Sequence, residues 1–450
     1  MGLYTSLIKK EICPIIHLHL LKDKLEFMLE KVKIKEKKID DYRKIILPSL
    51  LKEIKSLSKE LKGLKVNLVN STSKGGGVAE ILNSLIPLLR DVKIDASWYV
   101  ISGDKQFFNL TKEIHNALQG KDFLLTLDLR KKYRANMERI SKEMKGMSPD
   151  VWVMHDPQTV GIIDYFPNLH PCISHIHIDT SFPNKDVWNF IMPFLLKYDK
   201  IIFSEKEFRQ TDIPIEKTSI IPPAIDPLTE KNKVLSKKES KNILKDFGID
   251  IKRPLISQIS RFDPWKNPSG VVDAYKIAKK KIPGLQLALV GLLLASDDPE
   301  AAKVYHKVEK ETKGDPDIFL FFNPDKLSNL TVDRFVNAFQ TASDIILQNS
   351  TKEGFGLTVS EAMWKEKAVI GGNVGGIKIQ IKDGENGFLV SSSKEAAEKI
   401  IFLFENPKIR KNMGKKAKKT VLEKFLMPRL LRDYMLLLKD IAYENKRKNR

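Results

Sequence analysis

Two glutamates eight residues apart flank a glycine-rich turn in the segment Asn349-Ser350-Thr351-Lys352-Glu353-Gly354-Phe355-Gly356-Leu357-Thr358-Val359-Ser360-Glu361. An apolar run before it reads as a strand, and a helix is expected to start near Leu357 or Thr358. The unpaired backbone N–H groups of a helix start, with the helix dipole behind them, form a site for a phosphate. Glu353 and Glu361 would repel that phosphate, so their chemistry is to bind neutral hydroxyls. A sugar on one side of a diphosphate and a ribose on the other would supply them. A second loop, Ser260-Arg261-Phe262-Asp263-Pro264-Trp265-Lys266, holds two cations five apart across a proline turn. Arg261 as a fork and Lys266 as a point charge could clamp the same diphosphate. A third loop, Ser71-Thr72-Ser73-Lys74-Gly75-Gly76-Gly77-Val78-Ala79-Glu80, lets backbone approach a ligand closely. It matches neither the P-loop nor the dinucleotide fingerprint.

His155-Asp156-Pro157-Gln158 closes another strand candidate, where a side chain would point into a cleft. His155 could hydrogen-bond a sugar hydroxyl or act as a base. His175 and His177 alternate along one strand and share a face, with Asp179 beyond them on that face. Three readings stand for this group: a metal ligand set, a polar floor for a sugar, or hydrogen-bonded structural histidines.

The elements that must hold these loops are legible as alternation. From Lys65 onward, short apolar runs alternate with helical stretches, the pattern of βαβ units on a parallel sheet. Strands are expected over 66–69, 97–101, 151–154, 173–178 and 200–203. The proline-rich run Ile221-Pro222-Pro223-Ala224-Ile225-Asp226-Pro227 then breaks the series. A second series follows at 255–259, 286–290, 318–322, 345–347 and 368–371. The expected fold class is α/β, with two doubly wound halves of about 200 residues each facing a cleft, and ligands bound outside the carboxyl ends of the strands. The domains expected are 1–225, with a charged helical extension over about the first 60 residues, then 226–426. A terminal amphipathic helix in 427–450 is expected to fold back on the first domain.

Lys and Arg number 77 against 57 Asp and Glu, a net charge of +20. That balance admits nucleic acid, an anionic membrane surface or an anionic small molecule as partner. No recognisable RNA- or DNA-binding motif is present. The apolar run 285–295 is broken by Gln286 and falls short of the roughly 20 residues of a membrane span. Cys13 and Cys172 make no disulfide framework and no zinc spacing, which fits a reducing cytosol. The N-terminus has no signal-peptide core, although Met1-Gly2 to Ser6 matches the loose myristoylation pattern. The expectation is a cytoplasmic protein with small-molecule partners, no nucleic acid and no membrane; a homodimer is the one assembly allowed for.

These residues carry a family resemblance. Glu353 to Glu361 resembles the E-x7-E motif of retaining glycosyltransferases of the GT-B fold, and Arg261 with Lys266 resembles their R-x4-K phosphate clamp. Several further motifs narrow the match. They are Val69-Asn70-Ser71-Thr72 with Gly75 to Glu80, His155-Asp156-Pro157-Gln158, Ile225-Asp226-Pro227-Leu228, Ala295-Ser296-Asp297-Asp298-Pro299-Glu300 and Val374-Gly375-Gly376-Ile377. As a set they are similar to those of family 4 trehalose glycosyltransferring synthases and the related retaining trehalose phosphorylases. The resemblance runs from about residue 60 to 395. One departure is His175, where the family commonly has Arg in an Arg-Cys-His-Ile-Asp run.

The resemblance implies two Rossmann-like domains facing a cleft and transfer of glucose from a nucleoside diphosphate glucose to glucose, making or reversibly cleaving trehalose. A phosphorylase releasing glucose 1-phosphate is the alternative, and a basic nucleic-acid-binding protein a remote one. Donor contacts would be Gly76, Gly77, Arg261, Lys266, Glu353, Gly354, Phe355, Gly356, Leu357, Thr358 and Glu361. Glu361 would hold the ribose, and Glu353 the 3- and 4-hydroxyls of the glucose. Acceptor contacts would be Asp156, Gln158, His177 and Asp179. The catalytic set would be His155, facing the 6-hydroxyl, with Arg261, Lys266 and Glu353. No metal and no tightly bound cofactor are implied; the sugar nucleotide is a co-substrate, and Mg2+ is allowed for only as its companion.

Overall fold

The computed structural model describes residues 29–292, 299–327 and 329–448. The helical stretch expected before residue 29, Cys13, the Met1–Ser6 pattern and positions 295–298 lie outside the described residues. The alternating apolar runs form two sheets. The first holds β1 (Glu30–Lys31), β2 (Lys65–Asn70), β3 (Asp95–Val100), β4 (Val151–His155), β5 (Cys172–Ile176), β6 (Lys200–Phe203) and β7 (Thr218–Ile220). Their order is β1-β3-β2-β4-β5-β6-β7, parallel except for β1 against β3. The second holds β8 (Leu255–Ile259), β9 (Gln286–Val290), β10 (Ile318–Phe321), β11 (Ile345–Gln348), β12 (Ala368–Gly372) and β13 (Phe388–Val390). Its order is β10-β9-β8-β11-β12-β13, all parallel. Both are the doubly wound sheets expected, and buried strands such as Val151–His155 and Gln286–Val290 are covered on both faces by helices.

The direction of winding reverses between β2 and β4 in one sheet and between β8 and β11 in the other. A crevice opens at such a point because neighbouring crossovers leave in opposite directions. The loops after β2, β4, β8 and β11 are the four that carry the Gly run, His155, the Arg261–Lys266 pair and Glu353. Topology alone therefore brings the chemistry to two facing crevices.

The region before β2 corrects an expectation. Residues 32–38 form neither helix nor strand and Ile39–Tyr42 forms a single 3-10 turn, so the helix there is confined to Pro48–Glu60. Pro48 starts that helix and forces Leu47 into extended backbone, which bars a longer one. β5 also stops two residues early. The His177 N–H donates to the Asp156 carboxylate (2.9 Å) rather than to a neighbouring strand.

The chain passes between lobes twice, side by side. Ile225 N–H donates to the Phe425 carbonyl and Met427 N–H to the Ile225 carbonyl, both at 2.9 Å. The helix Met427–Lys448 then lies along Pro48–Glu60, with Leu430, Leu431, Tyr434 and Leu438 buried and Lys439 paired to Glu60 at 2.7 Å. No helix of the described residues is long and apolar enough to cross a membrane.

Candidate active site

One buried side chain fixes the two loops of the second lobe. Gln258, near the end of β8, donates from Nε2 to the Lys266 carbonyl (2.8 Å) and accepts the Asn349 N–H on Oε1 (2.9 Å). The Thr351 N–H adds a bond to the Trp265 carbonyl at 2.7 Å. Asp263 caps the turn Pro264–Lys266 by accepting the Trp265 N–H. The helix Leu357–Trp364 starts from Gly356, whose φ of +82° is left-handed and suits glycine. Phe355 is buried and meets the Phe425 ring at 5.5 Å, which anchors the loop beside the inter-lobe crossing.

Beneath Glu353 lies the Val374-Gly375-Gly376-Ile377 turn. The Gly376 N–H donates to the Glu353 carbonyl at 3.0 Å. A Cβ at Gly376 would lie 2.3 Å from the Phe355 Cα, so only glycine allows the two backbones this close. The Glu353 carboxylate pairs with the Lys266 ammonium, and the Ser350 hydroxyl reaches the same carboxylate oxygen at 3.4 Å. The clamp cation and the carboxylate expected to bind sugar are thus each other's partners. Arg261 is mostly exposed and lies 3.3 Å from Asp263. Glu361 sits deeper than a surface ligand: it is fully buried, receives the Gln340 amide on Oε2 (2.8 Å) and lies 2.8 Å from the Lys231 ammonium through Oε1.

The first lobe presents histidines. His155 Nδ1 and His177 Nε2 share a hydrogen bond at 2.9 Å, and the His175 and His177 rings stack at 3.7 Å. His175 Nδ1 bonds the hydroxyl of Tyr434 on the last helix. The remaining nitrogens, His155 Nε2, His175 Nε2 and His177 Nδ1, are buried with no protein partner, as is Gln158 Oε1. Burial disfavours the charged rings, lowering His155 to about 3 and His175 and His177 well below their ordinary range. Asp156 has a left-handed φ of +63°, and burial pushes its carboxyl up to about 7 against the opposing His177 N–H. Ring nitrogens of the three histidines lie within 4.8 Å of one another, inside the reach of one cation. Asp179 is not part of that group: it accepts the N–H and hydroxyl of Ser181.

The two sets face each other at van der Waals range. A Cβ on Gly354 would stand 2.5 Å from the His177 carbonyl, one on Gly375 3.1 Å from the Asp179 carboxylate, and one on Gly77 3.3 Å from Leu357. His177 and Gly354, Asp179 and Gly375, and Gly77 and Leu357 therefore meet across the two lobes, with His155 and Asp156 bonded to His177 on one side and Lys266 paired to Glu353 on the other. Sequence reasoning missed Gln258, Lys231 and His115. His115, on the helix Lys105–Leu118, is held down to about 4 by burial, then by the nearby Arg261 charge. A lone histidine in an amphipathic helix gives no signal of that placement.

With this geometry in place, likeness to known proteins becomes informative. Residues 68–210 match the model described as trehalose synthase, N-terminal domain, and residues 239–420 that of glycosyl transferases group 1. The chain is 47% identical over 405 residues to the trehalose synthase of Thermococcus litoralis, covering 89% of this chain and 97% of that one. It is 41% identical over 415 residues to the trehalose synthase of Rubrobacter xylanophilus, covering 91% and 98%. It is 30% identical over 408 residues to the trehalose phosphorylase of Grifola frondosa, covering 80% of this chain but 54% of that one. Among solved structures, sucrose-phosphate synthase of Thermosynechococcus elongatus superposes with a TM-score of 0.66 at 15% identity, over 85% of this chain and 100% of that one. Trehalose-6-phosphate synthase OtsA gives 0.64 at 13% identity, over 84% and 98%. These superpositions establish the GT-B arrangement of two Rossmann-like domains.

Proposed function

Since the chain belongs to the trehalose synthase family of glycosyltransferases, we propose that it transfers glucose from a nucleoside diphosphate glucose to glucose with retention, making trehalose or cleaving it in reverse. The near full-length identity of 47% to a trehalose synthase is the observation that carries this reading. The cleft supports it. Lys266 and Arg261 follow β8, and the helix Leu357–Trp364 that follows the neighbouring strand β11 starts with N–H groups at Leu357 and Thr358, the cations and dipole that a diphosphate would need.

As the bond from the anomeric carbon to the diphosphate oxygen breaks, negative charge grows on that oxygen and positive charge on the sugar. Cations and amides fixed beforehand stabilise the first at little reorganisation cost. Glu353, carrying its charge opposite Lys266, takes the sugar hydroxyls, and His155 the 6-hydroxyl. The acceptor oxygen, held by Asp156, Gln158, His177 and Asp179, forms the new bond to the anomeric carbon on the face the phosphate leaves, and its proton passes to the departing phosphate oxygen. The deciding assay incubates the protein with ADP-, UDP- or GDP-glucose plus glucose and identifies the disaccharide and its anomeric linkage. Formation of α,α-trehalose with release of nucleoside diphosphate is expected. Release of glucose 1-phosphate from trehalose and inorganic phosphate, without any nucleotide reaction, would replace this reading with the phosphorylase one.

A further inference from the structure

Lys231 is mostly buried where the two lobes meet, and its two acidic partners come one from each lobe. Its ammonium lies 2.5 Å from Glu80 Oε2 and 2.8 Å from Glu361 Oε1. Glu80 belongs to the helix Gly76–Asp91 that follows the glycine run of the first lobe. Glu361 belongs to the helix Leu357–Trp364 of the second. The backbone of Lys231 is tied to the second lobe on both sides. Asn337 donates to the carbonyls of Glu230 and Lys233 at 2.9 Å, and the Trp364 indole to that of Asn232 at 3.1 Å. Parting the lobes would therefore break Lys231–Glu80 and leave Lys231–Glu361 intact.

The state of Glu361 is informative. Its Oε2 is taken by the Gln340 amide, and its buried Oε1 faces the Lys231 ammonium at 2.8 Å. Burial works against its ionisation, and Lys231 first, then Lys365, outweigh that. An ionised carboxylate accepts from both members of a vicinal diol, whereas a protonated one must donate with one of its oxygens.

We propose that Lys231 is a positioning residue of the donor site: it keeps the Glu361 carboxylate as the acceptor of the ribose hydroxyls and links that carboxylate to Glu80 of the opposite lobe. The inference rests on the reading of Glu361 as the ribose ligand. It goes further in assigning the specificity for a ribose diol to a side chain outside the Glu353–Glu361 segment.

Calorimetric titration of the full chain with UDP or ADP, the 2′,3′-dideoxy form of the same nucleotide, and inorganic pyrophosphate tests it. Wild type is expected to bind the ribose form at least tenfold more tightly than the dideoxy form. Lys231→Met should erase most of that preference and leave pyrophosphate binding within twofold. Lys231→Arg should retain it, and Glu80→Gln, which keeps the Lys231–Glu361 contact, should keep it as well. A preference unchanged in Lys231→Met, or an equal loss for all three probes, overturns the role of Lys231 while the ribose reading stands. Absence of any preference in wild type overturns the ribose reading itself, and with it this inference.

Discussion

Lys266 and Glu353 form a half-buried ion pair at the mouth of the cleft, and each leaves the other an uncompensated charge if removed. Lys266→Ala or Arg261→Ala is expected to slow turnover on the order of 10²–10³-fold, as loss of one fixed donor to a developing oxyanion does. Steady-state rates with saturating sugar nucleotide check this, and near-normal rates in both variants would remove the clamp assignment. The histidines make a second prediction. His155 titrates near 3 in the folded protein against an ordinary 6.5, so unfolding at pH 5 takes up its proton, and the stability it confers above 6.5 is lost as pH falls toward 3. His115, His175 and His177 act in the same sense. Asp156 acts oppositely: raised from 3.8 to about 7, it contributes stability fully below 3.8 that is lost as pH rises through 7. Relative to wild type, unfolding near pH 5 should take up about one proton fewer in His155→Gln and about one more in Asp156→Asn, read from the slope of unfolding free energy against pH. Identical slopes in all three proteins would refute the burial of the cluster. At this scale sequence shows residue types that chemistry requires, such as Glu353 and Lys266. It does not show Gln258 or Lys231, whose partners Asn349 and Glu361 are 91 and 130 residues away and meet them only through the fold.

The turn at Gly375–Gly376 shows how an element positions a charge it does not carry. A methyl group at Gly376 would meet the Gly354 carbonyl oxygen at 2.4 Å as well as the Phe355 backbone, and no flexible side chain is there to yield. Gly376→Ala should therefore displace the Glu353 loop, lowering turnover at least tenfold and destabilising the protein by about 1–3 kcal/mol. Gly77→Ala is the control: its added methyl meets the Leu357 side chain at 3.3 Å, and a melting temperature close to wild type is expected. Equal melting temperatures and rates in both variants would show the two backbones to be freer than their spacing implies. Most strands were legible here because buried parallel strands are continuous apolar runs. β1, β7 and β13 were not, being two or three residues long at the sheet edges, where a short ladder needs little hydrophobic sequence. Residues 29–47 read as helical because charged, lysine-rich sequence has good helix propensity, and the fold spends them instead on an edge strand and a buried turn around Tyr42.

Two lobes joined by two adjacent crossings are free to part unless side chains hold them, and one such hold lies beside Glu353. The Lys352 ammonium reaches the Gln119 carbonyl at the carboxyl end of the helix Lys105–Leu118, and also lies 5.8 Å from the Trp265 ring. That helix end is the negative pole of its dipole, so a cation there is favoured by about 0.3–1 kcal/mol. Because Lys352 adjoins Glu353 in sequence, the same loop that is proposed to meet the donor sugar also fastens one lobe to the other. Lys352→Met removes the charge and keeps most of the side chain's bulk, so the closed arrangement should lose about 1 kcal/mol, shifting its balance with the open one by about fivefold. Small-angle scattering of the ligand-free variant is then expected to show a larger radius of gyration than wild type, and saturating nucleoside diphosphate to bring the two together. KM for the sugar nucleotide should rise about fivefold with kcat nearly unchanged, since the lost interaction selects a conformation rather than stabilising the transition state. Superimposable scattering curves, or a fall confined to kcat, would mean that the lobes are held by other contacts and that Lys352 acts on the chemistry instead.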